Sequence, residues 1–391
     1  MKRIVYISGS RSDYSPIKRT LMGLNKITEL TVVATGMHLS NQFGNTYKEI
    51  ESDGFKIRKV DMLLDNNSLG SMAKSLGIGL YGIVQVFEDI NPDIVFIEGD
   101  RGEALAGAIA AAHMNISIVH HGGGDISGSI DDKIRSAISA LADFHLVGNQ
   151  RSYQRLLRVG LPTEKITLVG EPGIDDIHSG DYTSIDQINN KYGIPSDKPM
   201  ILLIQHPDTR ENHNIETNIR TILEVVTELE IPTVAIYSNS DAGGRVINSV
   251  LDEKSMELPF LKVVPHVERR DFLGLMNRCS VMLGNSSAGI VELPSFKKPF
   301  VCVGSRQKDR LQTVNTINVE CKKTEIINAL YYAMQDRSFG EKLSHIKNPY
   351  GDGRASERIV SRIMEILETK DGSYNREDRM DQCTTTIPRS E

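Results

Sequence analysis

Short apolar runs alternate with longer amphipathic stretches along most of this 391-residue chain. A period near two followed by a period near 3.6, repeated, marks βα units and therefore parallel sheets. In the first half the pattern predicts strands over Arg3–Ser8, Leu30–Ala34, Ile57–Val60, Ile94–Glu98, Ile116–Val119, Phe144–Val147 and Ile166–Val169. Helices are predicted over Ser15–Asn25, Thr46–Asp53, Ser68–Ile90, Glu103–Met114, Asp131–Ala142 and Gln150–Val159. The segment Gly180–Asn190 is polar, carries no strong period and reads as a linker.

A second βα series follows. Its predicted strands are Met200–Gln205, Thr233–Tyr237, Leu261–Val264, Val281–Leu283 and Phe300–Val303. Its predicted helices are Ile215–Glu228, Gly244–Glu253, Arg269–Asn277, Gly289–Leu293 and Glu325–Met334. Single cores rarely grow past about 250–300 residues, so the length implies two domains. The expected layout is residues 1–178, residues 190–352, a final helix within 353–370 that packs back on the first domain, and a flexible tail over 371–391. The fold class is α/β: two doubly wound, Rossmann-like domains facing a central cleft.

Composition narrows the partners. With 6% aromatic residues and no tryptophan, a sugar would be recognised by hydrogen bonds and charge rather than by stacking. The formal net charge of −6 argues against nucleic acid, whose binders are usually basic. Cys279, Cys302, Cys321 and Cys383 show no metal-type spacing and read as reduced thiols. No signal-like segment or membrane-length apolar run is present, so a cytoplasmic protein with no membrane partner is expected. No metal site is expected. The turn after the first strand lacks GxGxxG, so no dinucleotide cofactor is expected either.

Chemistry concentrates at predicted strand ends, where open α/β sheets bind their ligands. One strand runs into Glu98-Gly-Asp-Arg101 and the next into His120-His-Gly-Gly-Gly-Asp125, which leads to Asp131-Asp-Lys-Ile-Arg135. Carboxylates there can move protons, and arginines can hold phosphate. Gly9-Ser-Arg-Ser-Asp-Tyr-Ser15-Pro16 could form an anion site at a helix start, with Arg11 and Ser15 as donors, or an ordinary turn capped by Ser15. In the second half, Gly284-Asn-Ser-Ser287 has a similar form, and Glu292 lies where a carboxylate could accept ribose hydroxyls. Three further loops carry His206, Asn239 with Asp241, and Arg306 with Arg310.

Together these motifs resemble the hydrolysing UDP-N-acetylglucosamine 2-epimerases, which release N-acetylmannosamine and UDP at the start of sialic acid synthesis. The resemblance is carried by the segments Gly9–Ser15, Gly99–Arg101, Gly123–Asp125 with Ile130–Arg135, Gln205–Pro207, Asn239–Gly243, Gly284–Ser287 and Ser305–Gln307. It implies a GT-B-like fold, a UDP-sugar substrate, UDP as product, no cofactor, and a homodimer or homotetramer. It implies elimination of UDP to 2-acetamidoglucal, then addition of water. The residues it assigns to the chemistry are Asp100, Asp125, Asp131 and Asp132, with Arg135, and His121 as a substitute proton-transfer group. Those it assigns to the UDP-sugar are Arg11, Ser15, Arg101, His206, Asn239, Asp241, Ser286, Ser287, Glu292 and Arg306.

One departure is Gly122, where the animal enzymes have a glutamate. The non-hydrolysing 2-epimerases share the fold but carry a different motif, His-Val-Glu-Ala-Gly-Leu-Arg. A GT-B glycosyltransferase and a catalytically dead sugar-nucleotide sensor are the other readings. Relatives acting on UDP- or GDP-linked 2,4-diacetamido-6-deoxy sugars look alike in these motifs, so the sugar and the base stay open.

Overall fold

The computed structural model describes residues 1–64, 68–128, 130–208, 214–239 and 241–371. They form two parallel sheets. The first contains β1 (Arg3–Ser8), β2 (Glu29–Thr35), β3 (Lys56–Val60), β4 (Ile94–Glu98), β5 (Ser117–His121), β6 (Phe144–Val147) and β7 (Ile166–Leu168), in the order β3-β2-β1-β4-β5-β6-β7. The second contains β8 (Ile201–Ile204), β9 (Thr233–Ile236), β10 (Leu261–Val264), β11 (Val281–Gly284), β12 (Phe300–Val303) and β13 (Thr316–Val319), in the order β10-β9-β8-β11-β12-β13. Strand order reverses between β1 and β4 in one sheet and between β8 and β11 in the other. Such switch points open crevices at the carboxyl edge. The two doubly wound α/β units expected from the pattern, and the GT-B-like fold implied by the resemblance, are what is observed.

The central strands are buried on both faces, as helix-covered parallel sheets require. Ile94, Val95, Phe96 and Ile97 of β4 are all fully buried, as are Ile201 and Leu202 of β8. The helix Ala355–Asp371 places Ile359, Ile363, Ile366 and Leu367 in one cluster with Ile17, Leu21 and Leu24, so this helix completes the first sheet's core. Among the described residues, no helix is long and apolar enough to cross a membrane.

Three local expectations are corrected. The helix predicted over Ser15–Asn25 is two pieces, Arg11–Tyr14 and Lys18–Asn25. Ser10, in extended backbone, caps the first piece, and Ser15 closes it. The expected linker instead contains the helix Ile185–Tyr192, where Ser184 Oγ accepts from the Gln187 amide and Gln187 Oε1 accepts from the Ser184 amide. That reciprocal pair is a capping box, and the Ser-x-x-Gln spacing is its signature. Finally, β13 and the helix Arg337–Ser344 had no sequence counterpart. The expected tail, with Cys383, lies outside the described residues.

Candidate active site

The first sheet's carboxyl edge carries an acid cluster organised around Arg135. β4 ends at Glu98, Gly99 turns the chain with φ of 70°, and Asp100 follows. β5 ends at His121, and the glycine loop leads to the helix Asp131–Leu141, which carries Arg135 one turn in. Arg135 is 3% exposed. Its Nη2 donates to Asp100, and its Nη1 donates to Asp132 at 2.8 Å and to the Asp125 carbonyl at 2.9 Å. One buried cation thus ties the two strand-end loops together.

The four candidate acids occupy different settings. Asp132 accepts from the Ser127 amide (2.7 Å), the Ser127 hydroxyl (2.9 Å) and the Gly128 amide (2.7 Å). Burial works against its charge, but those donors and Arg135 hold its pKa below the usual value. It is built as a permanent anion that shapes the loop. Asp125 meets Arg310 at 2.6 Å, and Asp131 faces Arg306 at 3.8 Å. Both arginines come from the loop after β12, so the second sheet's domain reaches across the cleft to the acids of the first. Asp100 does not cap the helix Gly102–His113; its N-cap is Arg101, and Asp100 pairs with Arg135 instead.

His121 departs from expectation. Its ring is fully buried, with Nδ1 2.7 Å from Glu98 Oε2 and Nε2 3.0 Å from the Gly170 carbonyl. Burial alone would lower its pKa, but the carboxylates of Glu98 and Glu171 outweigh that and raise it to about 10. Both nitrogens face acceptors, so the ring is an imidazolium with both protons engaged, not a free proton-transfer group. Glu98, His121 and Glu171 bring possible ligand atoms within 4.8 Å of one another. With the His121 ring set between two carboxylates, the three side chains form an ion cluster. Glu171, whose pKa burial raises to about 7, was not among the expected residues; its signal was the Gly170-Glu-Pro172 turn just past β7.

The second sheet's edge supplies the opposite wall. The His206 amide donates to Asn285 Oδ1 at 2.7 Å, and Asn285 Nδ2 returns a bond to the His206 carbonyl at 2.8 Å. Burial first, then Arg306, lowers the His206 pKa to about 3, so the ring is neutral with one N–H to offer. Arg306 Nη1 reaches the Asn285 carbonyl at 3.4 Å, beside Ser286 and Ser287 in the turn after β11. Asn239 Nδ2 donates to Asp241 at 2.7 Å. A pocket between these loops is lined by Gln205, His206, Asp208, Asn285, Ser305 and Arg306.

Not every expected residue joins this cluster. Arg11 pairs with Glu49 at 2.8 Å and bridges to His266 Nδ1 (2.7 Å) and the Val267 carbonyl (2.9 Å) in the other domain. Ser15 is buried in the turn behind it. Glu292 is held by Arg269 at 2.5 Å, and Arg269 also donates to the Gly173 carbonyl at 2.7 Å. Arg101 lies against Glu103 at 3.3 Å, within electrostatic reach of Asp241 across the cleft. None of these four is bonded to Arg135 in the contacts described above.

Two carboxyl edges thus face one another in an α/β fold, one rich in acids and the other supplying arginines. The sequence profile of UDP-N-acetylglucosamine 2-epimerase matches residues 23–364, and the chain belongs to that family. It is 38% identical over 369 residues to the UDP-N,N'-diacetylbacillosamine 2-epimerase (hydrolyzing) of Legionella pneumophila, covering 94% of this chain and 96% of the relative. It is 32% identical over 374 residues to a UDP-N-acetylglucosamine 2-epimerase of Neisseria meningitidis, covering 94% and 96%. Among solved structures, the N. meningitidis UDP-GlcNAc 2-epimerase bound to UDP-GlcNAc superposes with a TM-score of 0.78 at 20% identity, covering 93% of this chain and all of that one. The last likeness is one of fold.

Proposed function

We propose that the chain is a hydrolysing 2-epimerase of a UDP-linked 2,4-diacetamido-6-deoxy sugar, UDP-N,N'-diacetylbacillosamine, releasing UDP and the free sugar inverted at C2. The observation that carries this reading is the 38% identity, over nearly the full length, to the L. pneumophila enzyme of that name. The same chemistry on UDP-N-acetylglucosamine, giving N-acetylmannosamine, is the second reading, favoured by the 32% identity to the N. meningitidis relative.

The C2 proton of a sugar nucleotide has no neighbouring carbonyl to acidify it, so elimination comes first. A carboxylate takes the C2 proton, C1=C2 forms, and UDP leaves with the C1–O pair. Water then adds at C1, and C2 is protonated from the other face. Asp100 and Asp131 are the acids we assign to these transfers, with Asp125 beside them and Asp132 and Arg135 holding the loop. Positioned proton transfer of this kind is worth roughly 10²–10⁴-fold. Arg306, His206 and the turn at Ser286 and Ser287 would receive the departing diphosphate, where preorganised donors act most strongly. Arg101, Asn239 and Asp241 would line the walls around it. Arg11, Ser15 and Glu292 would meet the nucleoside end once their present partners are exchanged for it.

We further infer a homodimer or homotetramer. The helix Leu69–Ile90 leaves Ile78 and Tyr81 exposed beside Leu64, and exposed apolar surface of this kind marks association sites. The substrate assignment is tested by kcat/KM on the two UDP-sugars side by side. A preference of about tenfold or more for the diacetamido sugar is expected, corresponding to about 1.4 kcal/mol. A preference of that size for UDP-N-acetylglucosamine would replace it with the second reading.

A further inference from the structure

The carboxyl ends of β4, β5 and β7 bring Glu98, His121 and Glu171 together at the same sheet edge as the acid cluster. Glu98 ends β4, His121 ends β5, and Glu171 follows β7. Between them, Gly148 follows β6, and a Cβ at that position would fall on the Glu171 carboxylate. The glycine is what admits Glu171 to the cluster. Gly122 leaves a second opening on the other side. Its φ is +84°, and a Cβ there would stand 3.5 Å from the Gly99 Cα and 3.9 Å from Glu98 Oε1. His121 holds only Oε2 of Glu98. Oε1 borders the opening at Gly122, and among the described residues nothing donates a hydrogen bond to it. The Glu98 side chain is 19% exposed, whereas that of His121 is sealed. Buried ion clusters are rarely more stabilising than apolar packing, and they concentrate at functional sites.

We propose that Glu98 is a catalytic carboxylate, exchanging a proton with C2 of the sugar through Oε1, and that His121 is its positioning residue. The proposal rests on the hydrolysing 2-epimerase reading above. In the elimination half, the carboxylate takes the C2 proton, the C2–H pair becomes the C1=C2 π bond, and the C1–O pair leaves on the diphosphate. In the hydration half, a water oxygen bonds to C1, its spare proton passes to a carboxylate, and C2 takes a proton on the opposite face. One water enters; UDP and the free sugar leave. Glu98 performs one of the two C2 transfers, and Asp100 or Asp131 performs the other. The His121 ring pins Oε2 at 2.7 Å, so that Oε1 stays turned to the opening.

The test compares wild type, Glu98→Gln and Glu98→Ala on the UDP-sugar that wild type turns over best. Expected are a loss of turnover of about 100-fold or more in both variants, UDP affinity by calorimetry within about twofold of wild type, and partial recovery of Glu98→Ala on adding formate. Recovery by a free carboxylate is something a structural role would not produce. Turnover of Glu98→Gln within about threefold of wild type would overturn the proposal. So would a turnover loss matched by lost UDP affinity with no formate recovery. Should Glu98→Gln fail to fold, Glu98→Asp keeps the charge on His121 but draws the oxygen back. It should fold, bind UDP and lose at least about tenfold in turnover, and wild-type turnover there would also overturn the assignment. Wild type inert on every UDP-sugar would bring down the epimerase reading and this assignment together, whereas active wild type with unimpaired variants removes Glu98 alone.

Discussion

Asp131 and Asp132 are neighbours in the chain with opposite surroundings, and substitution separates them. Asp132 accepts three bonds from Ser127 and Gly128 as well as one from Arg135. An asparagine there sets an NH2 group against one of those donors, so Asp132→Asn should lose about 1–3 kcal/mol of stability by denaturant melt. Asp131→Asn should instead keep its melting point and its UDP affinity while turnover falls by about 10²-fold or more. Equal turnover losses with equal melting points would mean both acids do the same work. Arg306→Ala should weaken UDP binding by about 1.5–3 kcal/mol, the worth of a charge-assisted contact, and unchanged calorimetry would remove it from the phosphate wall. At this scale the acids were legible because strand-end position alone brings Asp100, Asp125 and Asp131 to one edge. The setting of His121 was not, because the partners of each ring nitrogen come from β4 and from beyond β7. Glu171 was missed for the same reason: it joins the site only through the glycine gap at position 148.

Elements were legible wherever periodicity was strong. β1, β4, β6, β10 and β12 fall on the predicted bounds, because apolar runs between turn residues leave little choice. The misses include elements whose signals are local chemistry: the capping box at Ser184, the helix Arg337–Ser344 capped by Asp336, and the short edge strand β13, which has no fully buried residue. The last helix shows how much one cap can carry. Asp175, 3% exposed, accepts from the Ala355 amide at 3.0 Å and the Ser356 amide at 2.7 Å, holding the N-terminus of the helix that completes the first sheet's core. Asp175→Ala removes both bonds and a charge favoured at a helix start. The expected cost is about 1–2 kcal/mol by denaturant melt, and an unchanged midpoint would show that the helix is held by its apolar face alone.

The whole molecule depends on bonds that cross between the two sheets' domains, and these no sequence period encodes. Arg310 meets Asp125, Arg11 meets His266 and Val267, and Arg151 reaches the Asp309 carbonyl at 3.3 Å. The cleft between two doubly wound units was foreseeable; which arginine meets which acid depends on how loops from separate domains dock.

Acid sensitivity is also set by the folded whole. His145 on β6 is fully buried, and burial lowers its pKa to about 4. Between an unfolded value near 6.5 and that folded value, the unfolded chain binds the proton and the folded one does not, so this residue's contribution to stability falls as pH drops through that window. His145→Gln cannot titrate. Relative to wild type it should therefore gain stability by on the order of 1 kcal/mol per pH unit from about pH 6.5 to 4. A constant difference across that range would show that His145 is protonated in the fold.

The central claim, epimerisation at C2 with release of UDP, is tested most directly by proton NMR of the turnover mixture in D2O with a UDP-linked 2-acetamido sugar. The account predicts UDP, a free reducing sugar of inverted C2 configuration, and one deuteron at C2, because the C2 proton is lost to a carboxylate and replaced from solvent. A C2 epimer still attached to UDP, or a released sugar that keeps its original configuration and its proton at C2, would contradict it.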